Sequence, residues 1–167
     1  MVIQSNQYML LLRYNNYGNT DFINEHKSVI DKNGFTWVLK IGKEIPNQKL
    51  NRVLEEGGVL FFRAPKASGG TYHIAKVEDY AYGKAPKDNI FPEYYHQMEN
   101  DRKMWQLVNL QGTWLRISTI DPLPEGMESA LRLVSNSKMV SEVVTSTRSS
   151  VLYVTSDREL LIERAMG

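Results

Sequence analysis

Residues 34–77 read GFTWVLKIGKEIPNQKLNRVLEEGGVLFFRAPKASGGTYHIAKV, and the order of elements within this stretch decides the fold. Asn33-Gly34 is a helix stop, because glycine takes the left-handed conformation that closes a last turn. "FTWVLKIG" then reads as a strand, rich in β-branched and aromatic residues. Asn47 caps a short helix that carries Leu50, Val53 and Leu54, and Gly57-Gly58 ends it. "VLFFR" and "TYHIAKVEDY" are two strands joined by the loop "APKASGG". Trp37 stands at the mouth of the first strand, where a tryptophan serves either the core or one wall of a pocket for a flat ligand.

Outward from that stretch, Gln7–Tyr14 is a continuous apolar run and reads as a buried central strand. Thr20 caps a helix running to about Lys32, with Phe22, Ile23, Val29 and Ile30 on one face. From Tyr82 the chain is a lysine-containing loop, then a helix from Pro92, a good first-turn residue. "TWLRISTI" alternates, with Leu115 and Ile117 inward and Trp114 and Arg116 on the other face. "ALRLV" and "SVLYVT" are strands, "KMVSEVV" a helical turn or two, and "DRELLIERA" a terminal helix. Many short strands with a few helices around them predict an α+β barrel.

The chain has 167 residues, the size of one domain that buries a core without staples. No apolar run reaches the length of a membrane span, and no signal peptide opens the chain. Without cysteine there is no disulfide, thiolate metal site or thiol nucleophile. The reading is a cytoplasmic protein that does not bind membranes. With 20 basic and 19 acidic residues, the chain is far less basic than proteins that bind nucleic acid mainly through phosphates. Any such binding should be weak alone and concentrated at a small site. Additional affinity would come from a partner or tethered domain.

Catalytic signals are weak. His26, His73 and His96 are scattered, and no phosphate loop, nucleophile elbow or zinc-protease helix appears. Neither a metal nor a cofactor is implied, and a binding module is favoured over an enzyme. The aromatics carry more: three tryptophans, nine tyrosines and five phenylalanines, with clusters at "YNNY", "FF" and "FPEYY". A base stacked on an aromatic face gains about 1–3 kcal/mol.

"LLLRYNNYGNTDFINEHKSVIDKNGFTW", "NQKLNRVLEEGGVLFFRAPKASGGTYHIAKV" and "TWLRISTIDPLPEGMESALRLVSNSKMVSEVVTSTRSS" together resemble, in order, the three blocks of YTH domains. These belong with EVE and PUA-like domains, small barrels that hold one modified base in an aromatic cage. The resemblance implies a PUA-like β-barrel of about six strands over residues 1–155. Residues 156–167 would be a closing helix or the start of a linker to a further domain. Relatives of this kind stand at the front of modification-dependent restriction enzymes. The implied function is therefore to flip a methylated base out of DNA, in preference to RNA, alongside a following domain or partner subunit of a restriction complex.

Carried over by position, Trp37 matches the first cage tryptophan and Trp105 lies where the second stands, with Tyr94, Tyr95 or Phe91 as replacements. Tyr14 and Asn15 would touch the base edge. Arg13 matches the basic end of the first strand, and with Lys40, Lys43, Lys66, Lys84 and Lys87 would hold phosphates. Trp114 matches a structural strand position. The sequence departs from the family at Val38 and Leu39, where small polar residues are usual. It departs again in its longer Ser-Gly turn, where Lys66 and Ala67 replace an asparagine. Two other classes stand beside this reading. One is an interaction module without a base pocket. The other is an ASCH-like hydrolase of a modified nucleoside, using Thr71, Lys76 and Glu78.

Overall fold

The computed structural model describes the backbone of residues 1–105 and 111–163, and the side chains within those spans except 102–105. In chain order the elements are β1 (Val2–Ile3), β2 (Met9–Arg13), α1 (Phe22–Asn33), β3 (Thr36–Ile41), α2 (Asn47–Glu55), β4 (Val59–Arg63), β5 (Tyr72–Gly83), α3 (Tyr94–Trp105), β6 (Gly112–Pro122), β7 (Leu131–Leu133), α4 (Val140–Val143), β8 (Val151–Ser156) and β9 (Leu160–Leu161). Single 3-10 turns lie at Lys66–Ser68 and Met127–Ala130. The class is α+β. The main sheet has seven strands in the order β3-β6-β5-β4-β2-β8-β7, and β1 pairs separately with β9. The main sheet is therefore larger than the six strands expected. Among the described residues its order is open, ending at β3 and β7.

The chain divides into two compact units. One comprises Met1–Asn15, Arg52–Ala75 and Asp121–Gly167; the other comprises Asn16–Asn51 and Lys76–Ile120. In the first unit β2 is central, with β4 parallel on one side and β8 antiparallel on the other. Met9, Leu10, Leu11 and Leu12 are all buried, as a strand covered on both faces requires. They are neighboured by Leu60, Phe61 and Phe62 of β4, likewise buried. Each such side chain taken fully out of water contributes about 1.5–3 kcal/mol.

The segment expected to be a terminal helix holds no helix among its described residues; Leu160–Leu161 form the short strand β9 instead. Leu160, Leu161 and Ile162 are 5%, 63% and 3% exposed, an alternation with the period of a strand. Three consecutive apolar residues suit either period; pairing of Leu160 with Ile3 and Leu161 with Val2 decides it.

In the second unit α1 begins one residue later than the sequence suggested. Asp21 is the cap, its carboxylate accepting the Asn24 N–H at 2.9 Å, while the Thr20 hydroxyl donates to the Tyr17 carbonyl. Gly34, at φ 83°, ends the helix and donates its N–H to the Ile30 carbonyl. Phe22, Ile23 and Ile30 are buried as their spacing implied, and His26 joins them at 0% exposure. β3 pairs antiparallel with β6, Trp37 opposite Arg116. Along β6 Trp114, Leu115 and Ile117 are each 0% exposed, so both faces are covered rather than one. Pro92 precedes α3 instead of opening it, its carbonyl accepting the Tyr95 N–H at 3.1 Å.

Candidate functional site

The parallel register of β2 and β4 sets Arg13 directly beside Arg63 at the carboxyl ends of both strands. Ligands in α/β sheets commonly sit beyond such ends, where backbone and side chains diverge into loops. Here a cavity of about 320 Å³ opens within the first unit. It is lined by residues 13–15 at the end of β2, residues 63–66 at the end of β4, and Thr145, Arg148 and Ser150 before β8. Four of these residues are cationic, and none is Asp or Glu. The ion pairs among the described residues are Arg52–Glu56, Arg132–Asp157 and Arg158–Asp157, so none of the four cavity cations takes part in one.

The four cations are held differently. Arg13 Nη1 donates to the Thr147 carbonyl at 2.6 Å and to the Ser149 carbonyl at 3.0 Å, and the Arg13 N–H donates to the Ser150 carbonyl at 2.9 Å. Arg63 Nη1 donates to the Ala64 carbonyl at 2.9 Å. Its guanidinium lies 5.8 Å from the Tyr72 ring centre, and its Nε is buried without a hydrogen-bond partner. Gly70 permits this placement: at φ +62° and with no Cβ it leaves room that a side chain would take 2.8 Å from Arg63 Nη2. Lys66 and Arg148 are exposed at the rim. Tyr14 packs edge-on against Phe62, 6.3 Å between ring centres, and Asn15 is exposed.

The other base-site candidates lie in the second unit. Trp37, Phe91, Tyr94, Tyr95 and Trp114 form one buried aromatic cluster. Trp37 is 7% exposed; its Nε1–H donates to Asp88 Oδ2 at 3.2 Å and its backbone N–H to the Ile90 carbonyl at 2.9 Å. Phe91 lies 5.3 Å from Trp114 and 5.5 Å from Tyr95, distances of rings packed against one another.

Beneath them His26 Nδ1–H donates to the Phe22 carbonyl at 2.7 Å. Since a carbonyl only accepts, Nε2 carries the lone pair and receives the Tyr95 hydroxyl at 2.6 Å. The Leu39 N–H donates in turn to the Tyr95 oxygen at 3.2 Å. Burial pulls the His26 pKa down to about 4 and pushes the Tyr94 and Tyr95 phenols well above their usual range. The side chain of Trp105 lies outside the described residues.

Of the expected phosphate contacts, Arg13 and Lys66 line the cavity. Lys40, Lys43, Lys84 and Lys87 belong to the second unit. Lys40 Nζ donates to the Lys43 carbonyl at 2.6 Å, and burial followed by the Lys43 charge lowers its pKa. Thr71, Lys76 and Glu78 do not line the cavity. Among the described residues no three of His, Asp and Glu are grouped to hold a metal, and no helix is long and apolar enough to cross a membrane.

The sequence reading did not single out Arg63, Thr145, Arg148 or Ser150. A signal for Arg63 was present: "LLLR" and "LFFR" are two apolar strands each ending in arginine. Comparison with protein-family models, with curated proteins and with solved structures finds no match to the chain.

Proposed function

We propose that this chain is a nucleic-acid-binding module of the PUA-like kind that takes one extruded DNA base and its flanking phosphate into the cavity beyond β2 and β4. One observation carries the reading: four cations from three chain segments meet in a cavity with no carboxylate. Like charges gathered at the ends of neighbouring strands repel, and an anion in the cavity relieves that cost. The chain's net charge is only +1, so this is a local concentration of positive charge. Phosphate suits it, because guanidinium forks match its oxygens.

Tyr14 offers a stacking face, and Asn15 an amide able to pair with a base edge. A volume of about 320 Å³ falls at the small end of ligand pockets, fitting one nucleotide better than a peptide. Extrusion costs a few kcal/mol and a buried methyl returns about 0.8 kcal/mol, so phosphate contacts must supply most of the affinity. The sequence resemblance supports a methylated base and a role as the reading part of a cytoplasmic restriction system.

The aromatic cluster of the second unit is a poorer base site, because its rings already fill one another's faces. The test is fluorescence anisotropy with labelled duplexes carrying N6-methyladenine, 5-methylcytosine or neither. Tighter binding of one methylated duplex, weakened by Arg148→Ala and Lys66→Ala, is the expected result. No binding of any duplex at low salt would sink the proposal.

A further inference from the structure

The four cavity cations do not stand in equivalent states. Arg13 alone is held by carbonyls from a distant segment: its Nη1 donates to the Thr147 and Ser149 carbonyls at 2.6 and 3.0 Å, and its backbone N–H donates to the Ser150 carbonyl at 2.9 Å. These acceptors bracket Arg148 in sequence. Residues 145–150 are mostly exposed and have no regular secondary structure beyond the turns that follow α4. Within the segment, short-range bonds join Ser146 to Val143 and Ser149 to Thr147 and Val151. The side-chain anchor from outside the segment is therefore Arg13 Nη1, which donates to both carbonyls. The two N–H groups of Nη1 lie at fixed angles in the guanidinium plane, and a lysine nitrogen ends one bond nearer the backbone.

We infer that Arg13 is a positioning residue: its guanidinium fixes the Thr145–Ser150 segment so that Arg148, with Arg63 and Lys66, binds the phosphate. The inference rests on the proposed nucleotide site and divides its cations into three ligands and one strut. It explains why two arginines stand register-paired without a carboxylate: the charge of Arg13 is directed at carbonyl oxygens, leaving the cavity to Arg63. Arg63 donates one Nη1 bond to Ala64, and its Nε has no partner.

Arg13→Lys keeps the charge but ends one bond short of Nη1, so it weakens the hold on Thr147 and Ser149 and separates the two roles. With the preferred methylated duplex as probe, Arg13→Lys should weaken binding about tenfold, as Arg148→Ala does. The double variant should be no weaker than Arg148→Ala alone. Wild-type affinity in Arg13→Lys, or losses that multiply in the double variant, would overturn the strut.

Two readouts do not depend on that duplex. Amide hydrogen exchange over residues 145–150 should quicken in Arg13→Lys with the rest of the chain unchanged; unchanged exchange there counts against the inference. In the wild-type protein, NMR of arginine side chains on titrating inorganic phosphate should shift Arg63 and Arg148 and leave Arg13 in place. A shift of Arg13 as large as theirs would make it a ligand. If no duplex binds while residues 145–150 still loosen in the variant, base reading fails and the strut stands.

Discussion

The aromatic cluster of the second unit and the cation-lined cavity of the first differ in where their polar groups find partners. In the cluster, His26 is bonded at both nitrogens, Tyr95 both gives and receives, and the Trp37 indole reaches Asp88. In the cavity, four positive groups meet without one carboxylate. A buried polar group without a partner is costly, so natural cores complete their own networks. A site that awaits a ligand leaves some of that demand open. Among the described residues the cluster's polar groups partner one another, whereas the cavity's positive groups have no carboxylate beside them, although the cluster holds more of the residues that look functional in sequence.

The sharpest way to break this contrast is Trp37→Ala. Removing a buried tryptophan should cost about 3–5 kcal/mol of stability, read from urea denaturation, because the cavity left behind cannot collapse fully. The folded fraction should still prefer the methylated duplex. If the folded variant binds but no longer tells methylated from plain DNA, base reading belongs to the cluster.

The next effect comes from pH. His26 has a folded pKa of about 4 against an unfolded value near 6.5, so the unfolded chain takes up a proton first as pH falls. Stability from this group is fully present above about pH 6.5 and is lost progressively down to about pH 4, amounting to about 3 kcal/mol. Urea midpoints at pH 7 and pH 4.5 should separate far more in the wild type than in His26→Gln. Equal separations would show that the histidine is not what the acid attacks.

Tyr95→Phe sharpens the same point on a smaller scale. It leaves His26 Nε2 without its donor and the Leu39 N–H without its acceptor, at a cost of about 1–3 kcal/mol. A variant as stable as the wild type would mean that the network contributes packing alone. In the cavity, Lys66→Ala and Arg148→Ala should leave the melting temperature unchanged, since both side chains are exposed. Each should weaken duplex binding about tenfold, or about 1.4 kcal/mol, and lower the slope of log affinity against log salt by about 0.9. Unchanged slopes would remove these residues from the phosphate contacts.

Much of the scaffold was legible from pattern. The strand over "MLLLR", the helix stop at Gly34 and the run "VLFFR" follow from apolar continuity and from glycine's freedom at positive φ. Misreadings fell where two patterns fit one string. "ELLI" suits a helix or a strand until β1 lies beside it, and "TWLRI" alternates although both its faces are buried. Tyr14 and Asn15, which the family resemblance alone points to, line the cavity.

By itself the sequence determined the class of fold, the absence of cysteine chemistry and a near-neutral charge balance. Local propensity and composition are enough for those. Only the tertiary structure decided that the two strands ending in arginine run parallel and in register, with Arg148 brought up from 85 residues beyond Arg63. That pairing depends on which buried faces find each other across the whole chain, a property that no short window of residues contains.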